Sequence, residues 1–203
     1  MRACETNWRK TRRLLGRRDI PLADVGEQQS KHALTTLEGL EITEIMSSPL
    51  QRAMQSAEIF AERFGIDVAR DQRLTDIDVG KWEGHALDEI ADNDHFSDYL
   101  SCEAEAFPDG EAFESVHKRF VASVEQALID NEPGSNIVIV THAAPLRIAL
   151  AHYLSIPLGH FHRLRVSHGA FSVLRFAADT RRPRVLATNW GAGLADLVAA
   201  TPR

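Results

Sequence analysis

Asn136-Ile137-Val138-Ile139-Val140-Thr141-His142-Ala143-Ala144 sets the fold class of this 203-residue chain. Four β-branched residues in an unbroken run, Ile137 to Val140, predict a strand buried on both faces. A histidine ends the strand, and an apolar helix, Ala144 to Leu154, begins at once. Such a junction holds the imidazole at the carboxyl edge of a sheet, where open α/β sheets place their ligands. The helix amino-terminus beside it is a ready anion site. A lone histidine in this setting is more often a satisfied core residue, so the reading depends on what accompanies it.

A second junction of the same kind lies upstream. Glu44 to Ser48 predicts a short buried strand, and Pro49 starts a helix running to about Phe64. Leu50, Met54, Ala57 and Ala61 fall on one face of that helix, and Gly65 stops it. Arg52 stands in its first turn, where a guanidinium can hold a phosphate as a bidentate fork. Taken singly, Arg52 reads equally as a surface arginine near a helix start.

Outward from these junctions, Pro21 opens a loosely amphipathic helical stretch, Leu22 to Leu40, and Val68 to Arg70 predicts another short strand. Arg73 to Gly84 reads as a loop, residues 85–110 as a polar, acidic excursion, and Glu111 to Ile129 as helix. Arg163 to Val166, Ser172 to Phe176 and Arg184 to Ala187 read as closing strands. From Asn189 the tail either folds back or supports a dimer. Alternating strands and helices predict an α/β fold with a largely parallel central sheet, and the length suits one domain over 1–203.

Composition narrows the function. A formal charge of -6 argues against a nucleic-acid surface. The basic run Arg9 to Arg18 is either a solvated arm or a contact for a small anion. Cys4 and Cys102 are far apart, which predicts neither disulfide nor zinc and favours a reducing cytoplasm. No apolar run reaches the ~20 residues that span a bilayer. The remaining histidines are scattered, and His160-x-His162 reads as alternation along a strand rather than a metal site. No cofactor is expected.

Further segments join the two junctions: Arg2-Ala3-Cys4-Glu5-Thr6, then Arg13 to Leu22, Ser47 to Glu58, Asp76 to Gly84, Asp109-Gly110-Glu111-Ala112 and Thr141-His142-Ala143. In order and spacing these resemble the motifs of the histidine phosphatase superfamily, phosphoglycerate-mutase-like, across most of the chain. The resemblance implies a three-layer sandwich and a pocket that binds a small phosphorylated metabolite. It further implies hydrolysis of a phosphomonoester without metal through a phosphohistidine. By the same resemblance Arg2, Arg52 and His142 hold the phosphate, and Asp76 stands where the family has its acid glutamate. Thr6, Arg9, Arg13, Glu83, Ala143 and His168 line the substrate pocket, His168 having a plain surface role as its alternative. Residues 85–110 lie over that pocket. The chain's compactness between the Trp82-Glu83-Gly84 loop and His142 favours phosphatase over mutase.

The departures are concentrated at one end. Ala3 occupies the position of the nucleophilic histidine, and Cys4 that of its neighbouring glycine. Members of the family also begin with an apolar first strand, which is missing or truncated here. Two outcomes stay open: an enzyme active in its parent form and impaired as written, through an engineered change or an artefact of the start or reading frame, or a non-catalytic anion-binding homologue. The latter could be a homodimer or the partner of an active paralogue.

Overall fold

The computed structural model describes residues 1–8, 13–92, 94–191 and 193. Arg9 and the tail beyond residue 193 therefore lie outside the described residues. At the centre, β1 (Glu44–Ser47) pairs in parallel with β2 (Val68–Arg70) on one side and β3 (Ile137–Val140) on the other. The expected α/β class with a parallel sheet is what the chain forms.

Alternation along these strands divides the core into two layers. Ile45, Val138 and Val140 turn toward α1 (Asp24–Thr35) and α2 (Gln51–Phe64), meeting Ala33, Ala57 and the fully buried Phe60. Met46, Ile137 and Ile139 turn the other way, toward Phe120 and Val124 of α5 (Phe113–Asp130) and Ala149 of α6 (Ala143–Tyr153). One side chain per face per strand residue explains why β3 carries no polar position.

Residues 1–3 form a short extended segment, the amino-terminal stub, beside the end of β3. Arg2 bridges Thr141 in parallel, the Ala3 amide donates to the Thr141 carbonyl at 2.7 Å, and Thr141 donates back to Met1. On its other side Arg2 bonds Gly169 and Ala170, just ahead of β4 (Phe171–Phe176). β4 pairs antiparallel with β5 (Pro183–Trp190) in a separate two-stranded sheet.

Some sequence expectations need correction. The first helix begins at Asp24 rather than Leu22, because Leu22 forms an antiparallel bridge with Thr6 and donates to the Gln55 side chain. Arg163 to Val166 is not a strand. The chain there ends a 3-10 helix, Leu158–Arg163, that seats Phe161 against Phe113 with ring centroids 4.9 Å apart. His160 and His162 thus lie on a 3-10 turn. The excursion contains α3 (Leu87–Ile90) and α4 (Asp94–Ser101), whose Ile90 and Tyr99 join the same aromatic cluster.

Candidate functional site

The carboxyl ends of β1 and β3 lie side by side and deliver Ser48 and His142 to one place. Both helices that follow start there. Asp19 reaches over to accept the Gln51 amide at 2.6 Å, so the amino-terminus of α2 is already capped by a carboxylate. An anion beside α2 must therefore be held by side chains.

Arg52 is the hub. Its Nε donates to His142 Nδ1 at 3.2 Å, Nη1 to the Arg18 carbonyl at 2.7 Å, and Nη2 to the Gly16 carbonyl at 2.8 Å and Asp76 Oδ2 at 3.0 Å. Gly16 serves in this turn because its φ is +53°, and a Cβ there would stand 2.8 Å from Val79. Arginine only donates, so His142 Nδ1 must accept and the ring proton sits on Nε2. That nitrogen lies 2.7 Å from Ser48 Oγ, which receives it. Burial, reinforced by the charges of Arg52, Arg119 and Arg2, holds the His142 pKa well below its ordinary value. The imidazole is neutral at pH 7.

Asp76 is moved in the opposite direction. Burial raises its pKa, while Arg52, the Ile77 amide and Arg2 pull against that rise. The loop carrying it is fastened from α5. Arg119 donates to the carbonyls of Arg73, Thr75 and Asp76, and its fork is held by Glu111 at 2.8 and 3.0 Å. Arg17 adds a bond to Glu111 at 3.0 Å and one to the Asp76 carbonyl at 3.3 Å.

Arg2 enters from the stub. Its Nη1 donates to the Val166 carbonyl at 2.7 Å, and its Nη2 lies 2.8 Å from His168 Nε2, which accepts. Arg2 is close enough to act on the charge of both Asp76 and His142. Ala3 is buried, and the register Arg2–Thr141 puts it one rung on, beside His142. Strands lie about 4.8 Å apart, so side chains at positions 3 and 142 are lateral neighbours. Cys4 turns elsewhere: its buried thiol contacts Ser30 and Ser56 of α1 and α2, and burial raises its pKa.

The structure thus brings Arg2, Arg52, Asp76 and His142 together, with His168 attached through Arg2. Ala143 follows His142 as the first residue of α6. Thr6 is buried in its bridge to Leu22. Arg13 is tied to the Gly84 carbonyl at 2.6 Å and to Glu89 at 3.6 Å, and Glu83 pairs with Arg18 at 3.7 Å. Sequence reasoning overlooked Ser48, Arg119 and Glu111. Ser48 and Glu111 lay inside the quoted motifs, but nothing in the spacing marked Arg119, which acts through backbone carbonyls.

Two arginines, a neutral histidine and a carboxyl with a raised pKa make a buried cluster of net positive charge, suited to a phosphoryl group. Comparison with known proteins agrees. Residues 1–190 match the description of the histidine phosphatase superfamily (branch 1). A probable phosphoglycerate mutase, GpmB, of Cronobacter sakazakii is 30% identical over 189 residues, 92% of this chain and 86% of that protein. Among solved structures, the phosphoserine phosphatase of Entamoeba histolytica superposes with a TM-score of 0.83 at 26% identity, covering 94% of each chain. That structure is of a histidine-to-alanine mutant in complex with phosphoserine. YhfR of Bacillus stearothermophilus superposes with a TM-score of 0.81 at 30% identity, covering 93% of this chain and 94% of that one.

Proposed function

The chain belongs to the histidine phosphatase superfamily (branch 1), and from that premise we propose that its pocket binds the phosphoryl group of a small phosphomonoester without completing the reaction. The observation carrying this reading is the convergence of Arg2, Arg52, Asp76 and His142 on a position where Ala3 faces His142. The two guanidinium groups offset charge on the phosphoryl oxygens, while the one N–H of neutral His142 is engaged by Ser48. A phosphate dianion beside Asp76 raises the carboxyl pKa further, since like charge disfavours ionisation. Asp76 is thereby prepared to give its proton to the departing ester oxygen.

With a histidine at position 3, its ring nitrogen would form a P–N bond as the P–O ester bond breaks, and the leaving oxygen would take the Asp76 proton. Water would then cleave the P–N bond and return histidine and inorganic phosphate. Alanine has no lone pair for the first step. A histidine-to-alanine mutant of a solved relative was captured with phosphoserine, which accords with binding in this fold. The compact stretch between Glu83 and His142 favours phosphatase over mutase chemistry for the parent form. The alternative is a standing anion-binding role, alone or as the partner of an active paralogue.

Titration calorimetry with phosphate and phosphoserine, on this chain and on Arg52→Ala, tests the pocket. Hydrolysis of p-nitrophenyl phosphate by this chain and by the Ala3→His, Cys4→Gly variant tests the chemistry. Binding lost in Arg52→Ala, with turnover only in the restored variant, is the expected pattern. Multiple turnover by the unaltered chain that survives Cys4→Ser would overturn the claim of inactivity. A folded chain that binds neither anion would remove the pocket reading altogether.

A further inference from the structure

His117 of α5 and His152 of α6 are 35 positions apart in the chain, and the packing of the two helices sets His117 Nε2 at 3.0 Å from His152 Nδ1. The ring centres are 4.7 Å apart and the ring planes meet at 49°. The centres are thus only 1.7 Å further apart than the nitrogens (4.7 less 3.0), so the rings meet obliquely rather than end to end. Their lone-pair directions run aslant of the line joining the nitrogens, whereas an N–H···N bond favours a straight approach. A metal ion favours the oblique arrangement. Zinc–imidazole bonds are ~2.0–2.1 Å long, so two of them on one ion hold their nitrogens about 2.9–3.4 Å apart. The observed separation falls within that span.

The surroundings of the pair fit an ion as well. His117 Nδ1 is buried and has no hydrogen-bond partner. Glu114 Oε2 stands 3.6 Å from it, one turn back on α5, while the other oxygen of Glu114 lies 3.5 Å from Lys118. An ion between Nε2 and Nδ1 needs a lone pair on each, which puts the His117 proton on Nδ1, toward Glu114. A ligating histidine that gives its other N–H to a carboxylate is the usual outer arrangement of metal sites. On the partner helix, Tyr153 packs edge-on against His152 with centroids 4.8 Å apart and is itself backed by Phe176. Burial and the neighbouring His117 lower the His152 pKa, against a smaller upward pull from Glu125, which keeps the ring neutral as ligation requires.

We propose that His117 Nε2 and His152 Nδ1 form a clamp for one divalent transition-metal ion, with Glu114 orienting His117 from behind. Paired imidazoles suit zinc, nickel and copper, whereas magnesium and calcium take oxygen ligands. Among the described residues no three metal-ligating side chains gather, so water completes the coordination and the ion exchanges with solution. The two helices it joins are those that frame the pocket. α5 carries Arg119, which fastens the Asp76 loop, and α6 opens directly after His142. Neither histidine belongs to the phosphate cluster, so the clamp and the pocket stand or fall separately.

Zinc and magnesium chlorides, titrated separately into the full chain, test the site, with long-range 1H–15N NMR reading each imidazole nitrogen. The same titrations are run on His152→Gln, Glu114→Gln and Cys102→Ser. The last is included because Cys102 Sγ and His162 Nε2, 3.9 Å apart, offer a competing thiol–imidazole pair. One zinc ion should bind saturably and move the His117 Nε2 and His152 Nδ1 resonances to metal-bound positions, and magnesium should do neither. With free zinc at about a hundred times its Kd, Tm should rise by about 5 °C or more. Glu114→Gln should weaken zinc binding about tenfold, and His152→Gln should abolish the Tm rise. His152 is exposed, so its replacement leaves the core untouched. Cys102→Ser should change neither affinity nor Tm rise. Zinc shifts confined to other histidines, affinity lost in Cys102→Ser, affinity unchanged in His152→Gln, or no saturable binding would each overturn the proposal. The pair would then be a hydrogen bond closing the helix packing.

Discussion

Met1 donates its α-amino group to the Ile139 carbonyl inside the sheet, where burial pushes its pKa from 8.0 down to about 5. The folded chain therefore binds one proton fewer than the unfolded chain between those values, and stability rises with pH across the window. The full difference of three pK units corresponds to at most about 4 kcal/mol. His142, also held neutral by burial, acts in the same direction below its ordinary value of 6.5. Asp76 acts oppositely: its raised pKa contributes stability at low pH that is lost as pH rises from 3.8 through the folded value. Acetylating the amino group separates these effects, because an acetamide N–H keeps the bond to Ile139 and cannot titrate. Urea midpoints between pH 6.5 and 8, above the range of His142, should climb for the free chain and flatten for the acetylated one. Equal slopes would show that the amine is charged in the fold.

Arg119 is the means by which α5 controls a loop it does not contain. Three carbonyls on residues 73–76 converge on its guanidinium, whose geometry is held by Glu111. Lysine keeps the charge but not the fork. In the Ala3→His, Cys4→Gly background, Arg119→Lys should lower kcat by about tenfold through misplacement of Asp76, with KM for p-nitrophenyl phosphate little changed. A KM effect with kcat intact would assign Arg119 to binding. Elements of this kind also mark where sequence stops being informative. β3 and α6 were legible because a β-branched run abutting an apolar run has one period at a time. α3 and α4 were not, since four and eight residues give periodicity too little length and their acidic side chains hide Ile90 and Tyr99. Arg163 to Val166 misled through its period of two, when the anchoring of Phe161 just before it determined the backbone. Of the site, Arg2, Arg52, Asp76 and His142 could be found by motif, whereas the fastening of Asp76 runs through main-chain acceptors that no side-chain pattern encodes.

Across the whole molecule, the two sheets are tied at the stub, where Met1 and Ala3 bond Thr141 just beyond β3 and Arg2 bonds Gly169 and Ala170 ahead of β4. Cys4 lies two residues along, sealed against Ser30 and Ser56 between α1 and α2, while Cys102 is partly exposed, 3.9 Å from His162. The two thiols should therefore react with iodoacetamide in separate phases: Cys102 at once, and Cys4 only when the stub leaves its seat. If both are alkylated together in the native protein, the stub is loose. If the slow phase accelerates in dilute urea long before the far-UV signal changes, the stub detaches ahead of global unfolding. Cys4 then serves the molecule's observer as a clock, counting how often the seam between its two sheets comes undone.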